Sequence, residues 1–189
     1  MSSLVSELRK DEELVGLILQ GESKYFDVLY KRYYNKVFDK CTNLLKNREL
    51  AKEITKDIFS KVFEKLTSFK SKSSFSTWLY SITYNYCIDY LRTKNKLHYP
   101  DWNRNNEIPE IIDESDEDSP AIEYDNFLQV LEMIHPEEKA LLIMKYQDNL
   151  SLRQISDSLR ISEDAAKMRL KRARTRVLYI YKKVFGESN

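Results

Sequence analysis

The side chains in this sequence best placed to do chemistry are cations near its C-terminus. In Ser162–Val177 (SEDAAKMRLKRARTRV), at about 100° per residue, Ala166, Leu170, Ala173 and Val177 fall in one narrow arc and are predicted to face a core. Asp164, Lys167, Met168, Lys171 and Arg172 occupy the opposite face, with Arg169, Arg174 and Arg176 on its flanks. Long cationic side chains on one helix face match the acceptor atoms and phosphate rims of a DNA major groove. The plainer reading of such a stripe is a solvated face on an ordinary amphipathic helix. Two features favour DNA. Acidic residues are scarce after Asp164, and Ser151–Leu159 (SLRQISDSL) forms a second helical pattern across a short turn at Arg160–Ile161, the spacing of a helix-turn-helix. Ser151 and Ser162 are candidate N-caps, and Glu163 and Asp164 suit the positive end of the second helix.

A second group is aromatic. Phe75–Arg92 (FSTWLYSITYNYCIDYLR) carries Phe75, Trp78, Tyr80, Tyr84, Tyr86 and Tyr90, and Lys94 and Lys96 extend the cation that Arg92 begins. Core packing accounts for about half of these rings. An amphipathic helix does not bury rings on every side, and exposed rings beside cations suit single-stranded nucleic acid, at ~1–3 kcal/mol per stacked base. On one chain with a duplex reader, this pattern describes a protein that meets both paired and melted DNA. Other chemistry is not indicated. The sequence holds no nucleophile, base and orienting group in register and no phosphate loop, so no catalytic residue and no cofactor are expected. Cys41, Cys87, His98 and His135 are too scattered for a metal site, and the two cysteines read as small core residues rather than a disulfide.

These groups need elements to hold them. The 189 residues are 42% hydrophobic with only 3 Gly and 4 Pro, which excludes disorder throughout and argues for an all-α chain. The net charge of +1 hides an asymmetry: residues 1–99 sum to +6, residues 100–133 to −10 and residues 134–189 to +5. Basic blocks of this kind are footprints for polyanions. Phe26, Leu29, Tyr33, Val37 and Cys41 mark one helix; Ile54, Ile58, Val62 and Leu66, widened by Phe59 and Phe63, mark the next. Ser74 or Ser76 caps a third through Trp78, Leu79, Ile82, Tyr86 and Leu91, after the polar, basic loop Thr67–Ser74. Between Asn95 and Pro120 the helical period is lost, three of the four prolines occur, and Asp113–Asp118 reads DESDED, the composition of a flexible acidic linker. The expected architecture is two small helical domains, residues 1–96 and 121–189, joined by a linker at 97–120. No secretory signal leads the chain, and no segment approaches the ~20 apolar residues of a membrane helix.

Four stretches of this sequence resemble the extracytoplasmic-function (ECF, group IV) sigma factors of bacterial RNA polymerase. Phe26–Tyr33 (FDVLYKRY) with Val37 resembles the opening helix of the sigma-2 domain. Ala51–Phe63 (AKEITKDIFSKVF) resembles the A-E-D-hydrophobic-x-Q-E-V-F segment that binds the polymerase clamp helices. Phe75–Arg92 is similar to F-x-x-W-L-Y-x-I-A-x-N-x-x-I-D-Y-L-R, the most specific match, and Ile134–Arg176 resembles sigma-4. The resemblance implies a dissociable specificity subunit with core RNA polymerase and promoter DNA as partners, an anti-sigma factor as a further candidate, and a cytoplasmic bacterial location. It implies that Glu53, Lys56, Asp57 and Ser60 meet the clamp. Phe69, Lys70, Lys72, Trp78 and Tyr84 would engage a melted −10 element, with Arg92, Lys94 and Lys96 on its phosphates. Asp164, Lys167, Met168, Lys171 and Arg172 would read the −35 element, with Arg169, Arg174 and Arg176 on phosphates or the polymerase flap. The acidic linker is either a solvated tether or, as the resemblance implies, a mimic of nucleic acid in the RNA channel.

The sequence departs from the family pattern at named places. Lys52 and Lys56 stand where Glu and Gln are usual, making the clamp-binding face less acidic. His135 replaces Leu before Pro136, Ala166 replaces Val, and Arg160 replaces the Gly of the helix-turn-helix turn, where a left-handed backbone is expected. The competing reading is a free-standing helix-turn-helix repressor or activator on a palindromic operator, which would not need the aromatic helix or the clamp-like segment. A sigma-sequestering interaction protein and a helical enzyme fit less well, the first because of the basic recognition face and the second for want of a catalytic cluster.

Overall fold

A computed structural model describes residues 8–95 and 123–186. Among them the regular structure is helical and no strand occurs. The proposed linker at 97–120, together with Lys96 and His98, lies outside the described residues. The chain divides into two compact units, Met1–Tyr90 and Leu91–Asn189. Helices α1 (Asp11–Leu19), α2 (Phe26–Leu45), α3 (Arg48–Glu64) and α4 (Phe75–Asn95) build the first, with the last turn of α4 belonging to the second. The second holds α5 (Tyr124–Met133), α6 (Pro136–Leu142), α7 (Leu152–Leu159) and α8 (Glu163–Phe185), and one turn of π-helix at Ile143–Gln147 follows α6.

In the first unit the predicted periodicity becomes the core. Leu29, Tyr33, Val37 and Cys41 of α2 and Ala51, Ile54, Ile58 and Val62 of α3 are buried, and the two helices pack on each other. Each such aliphatic side chain contributes about 1.5–3 kcal/mol on burial. Phe63 instead stands 47% exposed, its ring edge-on to Phe26 at 5.0 Å. Lys46 ends α2 in a left-handed conformation (φ 55°), and the Asn47 side chain caps α3 by accepting from the Leu50 amide at 3.0 Å. Helix α1 was not distinguished in the sequence. It buries Leu14, Val15 and Ile18, and its Asp11 carboxylate accepts from both Arg32 and Tyr33 of α2.

In the second unit α8 packs on α5, α6 and α7. Val130, Leu141, Met144, Ile155, Ala166, Leu170, Ala173 and Val177 form the interior. Pro136 opens α6, where its missing N–H costs nothing, and His135 Nδ1 accepts from the Glu137 amide at 3.2 Å. A reciprocal capping box starts α7: Ser151 Oγ accepts from Gln154 N (3.2 Å) and Gln154 Oε1 accepts from Ser151 N (2.9 Å). Ser162 caps α8 through the Ala165 amide at 3.1 Å. Between the two helices Arg160 adopts φ 54°, ψ 48°. The expected left-handed turn is therefore present without the glycine that makes it easiest.

Candidate nucleic-acid interface

The second helix of the α7–α8 pair sorts its residues as its period requires. Ala166, Leu170, Ala173 and Val177 are buried, while Asp164, Lys167, Met168, Lys171, Arg172 and Arg174 are exposed. The exposed row begins at the N-terminal end of α8, where free backbone amides and the helix dipole already favour an anion.

Two of the flanking arginines do not join that row. Arg176 is 3% exposed, and its Nε donates to Glu138 Oε1 at 3.1 Å. The Arg176 assignment to phosphate or flap contact is thus corrected: its guanidinium neutralises a carboxylate that is itself fully buried. Arg169 is half-buried and donates from Nη1 to Glu137 Oε2 at 3.1 Å. The physical reason is position on the wheel. Arg169 and Arg176 are seven residues apart on one edge of the apolar arc, so their aliphatic stems lie along the core and their heads reach α6. Leu91 opens the second unit, and Arg92 within it also donates to Glu137, at 2.8 Å from Nε, so that side chain is engaged as well as exposed.

Glu137, Glu138 and the buried His135 were missed as a group. Their signal was two consecutive acids after an N-terminal proline, opposite two arginines at heptad spacing. Burial, together with the positive charges of Arg92, Arg176 and Arg169, holds the His135 imidazole down to about 4, so it is neutral at pH 7.

The aromatic helix sorts differently. Phe75, Leu79, Thr83, Cys87, Leu91, Tyr84 and Ile88 are all buried, and at about 100° per residue they sweep over half the circumference of α4. Tyr84, assigned to base stacking, has no exposed surface, and its hydroxyl accepts from Lys40 Nζ at 3.2 Å. That assignment is corrected: Tyr84 belongs to the core. Phe69 is corrected likewise. It is 7% exposed, with its ring 5.8 Å from Phe75 and 5.4 Å from Trp78, so it anchors the loop instead of offering a stacking face. Trp78 is half-buried against the same cluster. Lys70 and Lys72 stand exposed on the loop, and Ser71 between them takes φ 53°. Ser74 Oγ accepts from the Thr77 amide at 3.2 Å, which selects it over Ser76 as the cap of α4. A second carboxylate reaches the same helix end: Glu12 of α1 accepts from the Phe75 amide at 3.4 Å. Lys94 is exposed on the last turn of α4, and Lys96 lies outside the described residues.

On α3, Glu53, Lys56, Asp57 and Ser60 are all exposed on the side away from Ile54, Ile58 and Val62. Asp57 accepts from the Tyr86 hydroxyl at 3.3 Å, and Lys61 lies over the Tyr86 ring at 5.2 Å. The exposed residues Lys52 and Lys56 put two cations on this face. No helix among the described residues is long and apolar enough to cross a membrane, and no group of metal-ligating side chains occurs among them.

Two family profiles match successive parts of the chain. The family profile for Sigma-70 region 2 matches residues 29–97, and that for Sigma-70 region 4 matches residues 124–177. The chain is 28% identical over 170 residues to the ECF RNA polymerase sigma factor SigW of Bacillus subtilis, covering 83% of this chain and 89% of that protein. It is 26% identical over 148 residues to the RNA polymerase sigma factor YlaC of the same organism, covering 77% and 86%. Among solved structures, the sigma factor RpoE in complex with the anti-sigma factor NepR from Bartonella quintana matches with TM-score 0.58 at 18% identity, covering 86% of this chain and 99% of that one. CnrH in complex with the cytosolic domain of CnrY matches with TM-score 0.62 at 14% identity, covering 92% and 98%. These structures share the fold.

Proposed function

The chain belongs to the ECF group of the sigma-70 family of RNA polymerase sigma factors, and from that premise we propose how its surfaces divide the work of starting transcription. The family's role is promoter-specific transcription initiation, and its members are initiation factors rather than enzymes. In our reading α8 enters the major groove of the −35 element. Asp164, Lys167, Met168, Lys171 and Arg172 face base edges there, and Arg174 meets phosphate. The loop Thr67–Ser74 and the start of α4 hold an unpaired base of the −10 element. Lys70, Lys72 and the open face of Trp78 form that contact, while Phe69 and Tyr84 set its shape from beneath. The exposed side of α3, at Glu53, Lys56, Asp57 and Ser60, docks on the clamp of core RNA polymerase. The protein acts where the polymerase is, in the bacterial cytoplasm. Two fold neighbours are described in complexes with an anti-sigma factor or a partner's cytosolic domain, and this supports an anti-sigma partner here.

The observation that carries the reading is the sorted face of α8 on the second helix of a helix-turn-helix, in a chain that also matches region 2. The deciding experiment adds the purified protein to sigma-free core RNA polymerase on a library of promoter fragments. Run-off transcripts that require both components support it. Specific DNA binding without polymerase, and no transcripts with it, would establish the free-standing repressor instead.

A further inference from the structure

The chain has two cysteines, and the structure brings them together in the core of the first unit. Cys41 on α2 and Cys87 on α4 are 46 residues apart in sequence, yet their sulfurs are 3.6 Å apart, with Cys87 Sγ donating to Cys41 Sγ. Both have no exposed surface, and both are free thiols. Helical spacing carries no information on which faces of α2 and α4 meet, so this pairing is not visible in the sequence.

We propose that Cys41 and Cys87 are a redox modification site, a dithiol that a peroxide converts to an intramolecular disulfide between α2 and α4. Two features assign the roles. The Cys41 sulfur receives the hydrogen bond of the Cys87 thiol, which lowers its pKa and favours its thiolate. The Cys87 thiol is pushed up, because it shares its proton with Cys41 and is buried. Cys41 is therefore the attacking sulfur and Cys87 the resolving one. In the first step the Cys41 thiolate attacks one peroxide oxygen, the O–O bond breaks, and a sulfenic acid and hydroxide form; the hydroxide takes the thiol's proton and leaves as water. In the second, the Cys87 sulfur displaces the sulfenic hydroxyl, an S–S bond forms, and a second water carries away the Cys87 proton. Two thiols are oxidised and one peroxide is reduced to two waters.

A peroxide is close to water in size, so a brief local opening of the helices suffices to admit it. Closing the sulfurs from 3.6 Å to about 2.05 Å draws α4 toward α2 at this level. On the function proposed above, on which the regulatory half of this inference rests, α4 carries the −10 contacts, so the disulfide form is the less active one.

The test exposes the folded full-length chain to hydrogen peroxide and follows intact mass and disulfide-linked peptides. The expected result is loss of two hydrogen atoms, with the peptides of Cys41 and Cys87 joined, faster than global unfolding measured by hydrogen exchange, and reversal by dithiothreitol. A Cys87→Ala variant should stop at a sulfenic acid on Cys41, trapped by dimedone. Thiols that react only as fast as the chain unfolds, or that proceed to sulfinic acid without a crosslink, would overturn the proposal. Loss of the run-off transcript on oxidation, and its return with dithiothreitol, is expected. An unchanged transcript from fully crosslinked protein overturns the regulatory half. No transcript from the reduced protein sinks the sigma-factor reading instead, and leaves the mass result to judge the cysteines.

Discussion

Helices α4 and α8 are of similar length and both carry side chains suited to nucleic acid, yet the fold uses them in different ways. On α8 the buried arc is narrow, and the exposed row from Asp164 to Arg174 stays outside. On α4 the buried arc exceeds half the circumference, and none of its six rings is fully exposed. The difference follows from the side chains. A charged head at the end of a long stem stays in water unless a partner offsets its desolvation, whereas a ring gains from burial on whichever side the core reaches it. Charge on a helix is therefore a better guide to a surface than aromaticity. The exception on α8, Arg176, obeys the same rule, since Glu138 is its partner.

The sharpest way to break this comparison is at that exception. Arg176→Ala takes the guanidinium away from the buried Glu138 carboxylate, and should lower stability by about 3–5 kcal/mol, read as the urea midpoint. Adding Glu138→Leu should recover most of it, because the carboxylate that Arg176 served is then gone as well. An Arg176→Ala variant of unchanged midpoint but weaker binding to every promoter would return Arg176 to the DNA-contact set.

On α4 the corresponding test is Tyr84. Tyr84→Ala should cost about 3–5 kcal/mol, as other deletions of buried rings do. Tyr84→Phe keeps the ring and removes the hydroxyl that accepts from Lys40, a hydrogen bond worth about 1 kcal/mol, and should leave transcription intact. Lys72→Ala should show the converse: stability unchanged, and weaker holoenzyme binding to a pre-melted −10 element.

A third prediction concerns what lies behind α8. The folded pKa of His135, about 4, lies below its ordinary value of 6.5, so the unfolded chain takes the proton first. Its contribution to stability is full above pH 6.5 and is lost as pH falls toward 4, a change of about 3 kcal/mol. Urea midpoints across that window should fall in the native protein and stay flatter in His135→Leu, which restores the residue the family usually carries there.

The smallest expected effect separates reading from holding on the exposed row of α8. Arg172→Ala should reduce the preference for matched over scrambled −35 DNA by about 1–3 kcal/mol, whereas Arg174→Ala should weaken both alike. Fluorescence anisotropy of the holoenzyme on the two duplexes measures this. Equal weakening by Arg172→Ala would mean that it too contacts only phosphate.

Local features of the fold were readable because their causes are local. The periods of α2 and α3, the caps at Ser74, Ser151 and Ser162, and the left-handed turn at Arg160 depend on neighbours within a few residues. The apolar arc of α8 was readable for the same reason: it needs only the helical period and the choice of residue types. Helix α1 escaped notice because its one short stripe, Leu14, Val15 and Ile18, resembles any nonpolar turn until Asp11 meets Arg32 and Tyr33.

What the sequence determined by itself was therefore the inventory: helices, their ends, a helix-turn-helix, and a row of cations with no acid between Asp164 and its end. Tertiary structure alone decided which partners those side chains meet. Cys41 and Cys87, Tyr84 and Lys40, and Arg176 and Glu138 are 46, 44 and 38 residues apart. Such pairs depend on how helix faces are turned toward one another, and a residue's period along its own helix specifies a face without naming its neighbour.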